Sequence, residues 1–263
     1  MSSMRSPDMP HGPADQADGL RRLFAGSRQC LVPVVANAHI DCTGVLLERL
    51  LGAFTDLGAR ALVVDAADSA PAAAELIDID LRACIERLGS STGYLAARGT
   101  PRRHVDARGS SEAWLWGVEA AAPWADVVVV HAEARDLVRL LGQREVHPVL
   151  LASMAPASLT DAYATMKLLS QRCKLMSFDL LVGMRDTPRR GLRVGERLAS
   201  TADAFLGTVL REMAVLDTGA PLQDATPPDL ARLAAGQLLP APLMFDPASR
   251  APRAAGAGLT LSI

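Results

Sequence analysis

Short runs of Val and Leu recur along this chain, separated by stretches with helical periodicity. That alternation is the feature that most limits its folds. The runs are "CLVPVVA" (30–36), "ARALVVD" (59–65), "TGYLAAR" (92–98), "ADVVVVH" (125–131), "HPVLLAS" (147–153), "MSFDLLVG" (176–183) and "TVLREMAVL" (208–216). A strand with one wet face alternates apolar and polar residues, whereas a strand buried on both faces reads as a continuous apolar run. Several of these runs are continuous. Helical patterns fall between them at roughly 44–57, 111–121, 133–142, 158–172 and 190–206. The order predicts an α/β fold: a doubly wound, mostly parallel sheet with helices on both faces, in a single domain over residues 27–240. Its parallel crossovers should be right-handed.

The 158–172 helix has a start signal. Ser158 is placed to cap it, with Asp161 three positions later in a capping-box arrangement, and Pro156 keeps the preceding residue extended. Its apolar face is predicted to be Leu159, Ala162, Met166 and Leu169.

Composition narrows the function. The chain has 263 residues and a net charge of -2, so it lacks the basic surplus that neutralises nucleic-acid phosphates, and no nucleic-acid partner is expected. Its four cysteines, Cys30, Cys42, Cys84 and Cys173, form no Cys-x-x-Cys pair and no zinc-ligand spacing, so no metal site is expected. No stretch offers the ~18 continuous apolar residues of a membrane span, and no apolar leader opens the chain. A cytoplasmic location with reduced thiols follows as the expectation.

The ends differ from the middle. Residues 1–13 are rich in Pro, Ser and Gly, and residues 241–263 in Pro, Ala and Gly, so both are expected to be disordered or to trail from the core. The tail has too few cations for a membrane-binding amphipathic helix, so no autonomous membrane attachment is expected. Between the first disordered stretch and the domain lies "ADQADGLRRLF" (14–24), where Ala17, Leu20 and Phe24 share one face at helical spacing. A helix shorter than about 12 residues is marginal alone in water, so this one should fold on docking.

Three stretches resemble the MinD/ParA-type family of P-loop ATPases, and within it the flagellar-number regulators FlhG and FleN. "DQADGLR" (15–21) is similar to the DQAxxLR segment of those regulators. "SLTDAYATMKLLS" (158–170), after "ASMAP", is similar to their "TPEPTSLTDAYALIK". "RVGERLASTADAFLG" (193–207) ends a matching order of strands. The resemblance spans about residues 14–240. It implies the P-loop NTPase fold, and it implies that Asp15, Gln16, Leu20 and Arg21 contact a FlhF-like GTPase. A flagellar transcription activator or a basal-body component is the other implied partner.

The same resemblance places the nucleotide site, and the residues there have changed. The family's first loop reads GKGGVGK(T/S): glycine amides and lysines receive the phosphates, and a hydroxyl holds Mg²⁺. Asn37, Ala38, His39, Ile40, Asp41, Cys42, Thr43 and Gly44 occupy those positions here. Ala38 and Thr43 replace the two lysines, Gly44 replaces the hydroxyl, and Asp41 adds a negative charge. After the second strand, Asp65 keeps one acid of a D-x-D pair and Ala67 replaces the other, with Asp68 one residue further on. His131 stands at the Walker B aspartate, and Gly183 at an adenine-reading asparagine. Lys167 and Lys174 are the chain's only lysines.

These changes imply a degenerate site. ATP and Mg²⁺ are then cofactors by family resemblance only, no residue is catalytic, and an ATP-dependent homodimer is not expected. The expected role is a pseudo-ATPase that regulates flagellar number, placement or gene expression through protein contacts. The competing readings are a working ATPase with an altered phosphate loop, and an antiactivator of a transcription factor. A second use of the pocket, with His39, Asp41, Cys42, Asp65, His131 and Glu133 as a metal or catalytic cluster, has no recognisable ligand spacing behind it.

Overall fold

The computed structural model describes residues 29–185, 188–221 and 224–239. The expectations for residues 1–13, 14–24 and 241–263 lie outside these. Eight strands form one sheet in the order β3-β4-β2-β5-β1-β6-β7-β8. They are β1 Cys30–Val35, β2 Ala61–Asp65, β3 Glu86–Arg87, β4 Thr92–Ala96, β5 Val127–Ala132, β6 Val149–Ser153, β7 Ser177–Met184 and β8 Val209–Asp217. All neighbours are parallel except β3, which pairs antiparallel with β4 at one edge. All seven strands read from the sequence are present within two residues of their expected bounds.

Each face is covered, which is why the strands read as continuous apolar runs. Successive residues of a strand point to opposite faces. Leu31 and Val35 of β1 join one core with Val128 and Val130 of β5. That core is closed by α3 Glu112–Ala121, α4 Ala134–Leu141, α5 Pro156–Cys173 and α6 Pro188–Leu206, through Leu115, Leu137, Met166 and Leu198. Val32 and Val34 join the other core with Val127 and Val129. There α1 Thr43–Asp56 contributes Leu46, Leu50 and Phe54, and α7 Pro228–Leu238 contributes Leu230 and Leu233. The remaining helix, α2, is the short turn Thr100–Arg103.

Pro33 lies inside the central strand β1, where a missing N–H would ordinarily break a ladder. The amides of Cys30 and Ala36 point toward β5, donating to Asp126 and Ala132. By alternation the nitrogen of Pro33 faces β6, and the β1–β6 ladder begins only at Val34. The lost donor therefore removes no rung.

Four elements escaped the sequence reading: β3, α2, a 3₁₀ turn at Glu75–Asp78, and α7. Helix α7 carries a regular face, with Leu230, Leu233, Ala234 and Gln237 buried at i, i+3, i+4 and i+7. Flanking prolines and alanines hid it, although Pro228 sits in the first turn, where a proline costs no hydrogen bond. The start of α5 also differs from expectation. The helix begins at Pro156 after the extended Ala155, so Ser158 lies in its first turn and caps nothing. Leu159 is only partly buried, and Thr165 and Cys173 join the buried face instead.

A polar network fastens α7 to the amino ends of the strands. Asp179 of β7 is fully buried. Its carboxylate accepts Arg211 Nε at 3.2 Å and Nη2 at 2.9 Å, the Glu212 amide at 3.1 Å and Gln237 Nε2 at 2.7 Å. Gln237 Nε2 also donates to the His147 carbonyl, and its own carbonyl accepts the Cys30 thiol at 2.8 Å. Burial holds that thiol neutral, pushing its pKa up to about 11. Removing one partner of such a buried pair leaves the other charge uncompensated. Asp179→Ala is therefore expected to lower unfolding stability by about 3–5 kcal/mol, read by urea denaturation followed by circular dichroism.

Candidate functional site

The strand order reverses at β1, which lies between β5 and β6. Open α/β sheets place their ligands in the crevice at the carboxyl ends of the strands at such a point. The loop from β1 to α1 occupies it, and Asn37 organises that loop. Asn37 is buried, and its Nδ2 lies 3.0 Å from each of the Leu151 carbonyl, the Ser158 carbonyl and Ser158 Oγ. Its Oδ1 accepts the His39 amide at 3.0 Å, an Asn turn over two residues. The Ile40 amide donates to the Asn37 carbonyl at 3.3 Å. Ala38, His39 and Asp41 are left exposed, while the Ile40 side chain returns to the core.

Ser158 links this loop to its neighbour. Its hydroxyl accepts the Ser153 amide at 2.9 Å, and Ser153 Oγ donates to the His39 carbonyl at 3.4 Å. The end of β6, the first turn of α5 and the loop after β1 are thereby stitched together. Helix α1 starts after Cys42 with no side-chain cap, and Thr43 Oγ1 turns back to the Ile40 carbonyl at 3.4 Å. Gly44 faces open space. Cys42 Sγ lies over β7: a Cβ built on Gly183 would stand 2.8 Å from it and 3.2 Å from two Leu46 methyls. Burial pushes the Cys42 thiol above its ordinary pKa, against the lowering effect of its own backbone hydrogen bond.

A second group closes the ends of β2 and β5. Asp65 and His131 are direct register partners, and Asp65 Oδ1 lies 2.8 Å from His131 Nδ1. Tyr94 on β4 donates its hydroxyl to Asp65 Oδ2 at 3.2 Å. Burial first, and then the Asp65 charge, push the Tyr94 phenol well above its usual range. The carboxylate sets the imidazole so that Nδ1 carries the proton. His131 Nε2 is buried and has no hydrogen-bond partner among the described residues. The His131 side chain is only 2% exposed.

The third group locks the loops beyond. Ala67 is fully buried and Asp68 turns outward. The Asp68 amide donates to Glu133 Oε1 at 2.7 Å. Arg102 reaches Asp68 and the fully buried Asp136, each at 2.9 Å, and lies 3.9 Å from Glu133. Arg139 also pairs with Asp136, at 2.6 Å.

The structure thus joins Asp65 to His131 but leaves the other members of the suggested cluster apart. His39 and Asp41 project outward, Cys42 packs on β7, and Glu133 serves Asp68. Among the described residues no three His, Cys, Asp or Glu side chains gather to hold a metal. No helix among the described residues is long and apolar enough to cross a membrane.

No family model matches this sequence, and no curated protein is close enough to match. Solved structures do match. MinD from Aquifex aeolicus superposes with a TM-score of 0.53 at 15% identity, over 80% of this chain and 98% of its own. A ParA-family ATPase from Chlorobium tepidum gives 0.52 at 13%, over 80% and 99%. Cobyrinic acid a,c-diamide synthase from Mycobacterium smegmatis gives 0.56 at 16%, over 80% and 94%.

The chain has the MinD/ParA fold. At these identities the likeness establishes architecture alone. The stretch from Asn37 to Gly44 runs from the loop after β1 into the first residues of α1. Sequence reasoning missed Tyr94, Arg102 and Asp136, and it misassigned Ser158. Arg102 and Asp136 are 34 residues apart, so no spacing rule could pair them.

The packing of Cys42 over Gly183 has a direct consequence. Gly183→Ala should lose about 1–3 kcal/mol by overpacking, and adding Cys42→Ala should recover part of that loss. Thermal denaturation of the two single variants and the double variant measures the coupling.

Proposed function

We propose that this chain is a MinD/ParA-fold regulator that acts by protein contact and not by ATP turnover, in a role related to that of the flagellar-number regulators. One observation carries the reading. A phosphate loop works by turning successive backbone amides toward the ligand. Here the His39 and Ile40 amides are spent on Asn37 within the loop.

The charges agree with this. The stretch from Asn37 to Gly44 has no lysine or arginine and carries an exposed Asp41, so the several negative charges of ATP would meet little compensation there beyond Arg185, whose charge reaches Cys42. At the former metal end, Asp65 is engaged with His131 and Tyr94. Isothermal titration with ATP·Mg²⁺ tests the reading. No saturable heat is expected at micromolar concentrations. Micromolar binding that disappears in Asp65→Ala would instead establish a working nucleotide site, and with it the altered-loop ATPase.

The partner side rests on the segment at 14–24, which resembles the DQAxxLR element, and on the fold. The Aquifex aeolicus MinD neighbour is also known as a MinC:MinD complex, so the fold accommodates a docked protein. We assign Asp15, Gln16, Leu20 and Arg21 to contact with a FlhF-like GTPase. Deleting residues 14–24 should abolish stimulation of that GTPase in a turnover assay. If stimulation survives the deletion, or if only binding to a transcription activator is affected, the antiactivator reading replaces this one.

A further inference from the structure

The 3₁₀ turn and the residues after it present an unusual surface. In "ELIDID" (75–80) only Ile77 points inward, 1% exposed. Leu76 is 54% exposed and Ile79 82%, and both are flanked by the exposed carboxylates of Glu75, Asp78 and Asp80. Asp78 is shared with His104 at 2.9 Å and Arg103 at 3.6 Å, so Glu75 and Asp80 carry most of the outward charge. Two large apolar side chains among acids form a surface suited to a short segment that carries apolar and cationic residues together.

Such a segment enters the described structure close by. Gln29, the first described residue, donates Nε2 to the Ala122 carbonyl at the end of α3, at 2.6 Å. Arg82, three residues after Ile79, donates to the adjacent Ala121 carbonyl at 3.4 Å. Just upstream lies "LRRLF" (20–24), with Leu20 and Phe24 apolar and Arg21 and Arg22 cationic. The five residues from Phe24 to Gln29 span at most ~18 Å, and the three from Ile79 to Arg82 at most ~11 Å. A tether this short gives the segment a high effective concentration at the turn.

We propose that the surface of Glu75, Leu76, Asp78, Ile79 and Asp80 is a docking site for the chain's own residues 20–24. Leu20 and Phe24 cover Leu76 and Ile79, and Arg21 and Arg22 face Glu75 and Asp80. The contact depends only on these residues and their tether, whatever the outside partner is. A partner that takes Leu20 and Arg21 must first displace them from this surface, which makes the contact autoinhibitory.

The test uses the full chain with a photoreactive benzoylphenylalanine at Ile79, irradiated as an equal mixture of ¹⁴N- and ¹⁵N-labelled protein. Mass spectrometry should find crosslinks from position 79 to residues 20–24 of the same isotope. Leu20→Asp should cut their yield about tenfold or more, given the free energy of burying a side chain of that size. R21E/R22E should lower the yield, and adding Glu75→Arg to that variant should restore part of it. Crosslinks of mixed isotope would assign the surface to a second copy and overturn the proposal. Crosslinks to other peptides, or none, would overturn it too. A probe at Leu76 replaces the first where the Ile79 variant does not fold. Failure here leaves the GTPase assay of the deleted segment untouched, so the two readings fall separately.

Discussion

Strand β5 is buried along its whole length, and the rest of the molecule is arranged around that burial. Its six residues have no water on either face. Five of them are apolar side chains that both helix layers must cover. The sixth, His131, is polar and needs a partner supplied by the protein itself. Asp65 supplies it from the neighbouring strand, and Tyr94 fills the other carboxylate oxygen from the strand beyond. A polar strut thus runs across three strands of an otherwise apolar layer. Its cost is His131 Nε2, which has no hydrogen-bond partner among the described residues.

The same economy governs the loops above the sheet. An anion site needs amides held ready and unpaired, so it is stable only when its ligand or water satisfies them. This loop takes the opposite course. Asn37 uses its side chain as donor and acceptor at once, tying β1 to β6 and α5 while accepting the His39 amide of its own loop. Arg102 does the equivalent for the acids after β2 and β5, bridging Asp68 to the buried Asp136, which Arg139 also compensates. Both devices satisfy many polar groups at the carboxyl end of the sheet, while His131 Nε2 and Glu133 Oε2 stay buried without a hydrogen-bond partner among the described residues.

Legibility in the sequence followed the range of the interaction. The strands and five long helices could be read because burial imposes a period on neighbouring residues, and neighbours are what a sequence displays. Helix α7 obeyed the same rule, but its face was lost among prolines and alanines. Ser158 was misread because a serine followed three residues later by an acid is a local pattern, while its actual partners are Asn37 and Ser153 across the loops. The residues of the loop after β1 could be read one at a time. That Asn37 would turn inward and spend the loop's amides could not.

By itself the sequence determined the class of fold, the place of the loop after the first strand, and the absence of lysine from that loop. These follow from composition and from periods of two and 3.6 residues, which act along the chain. Only the tertiary structure decided which polar groups meet: His131 with Asp65, Asn37 with Ser158, Arg102 with Asp136 and Asp179 with Gln237. Such pairs join residues dozens to more than a hundred positions apart. They form because burial leaves a polar group no water, and it takes whatever partner the packed sheet brings within reach.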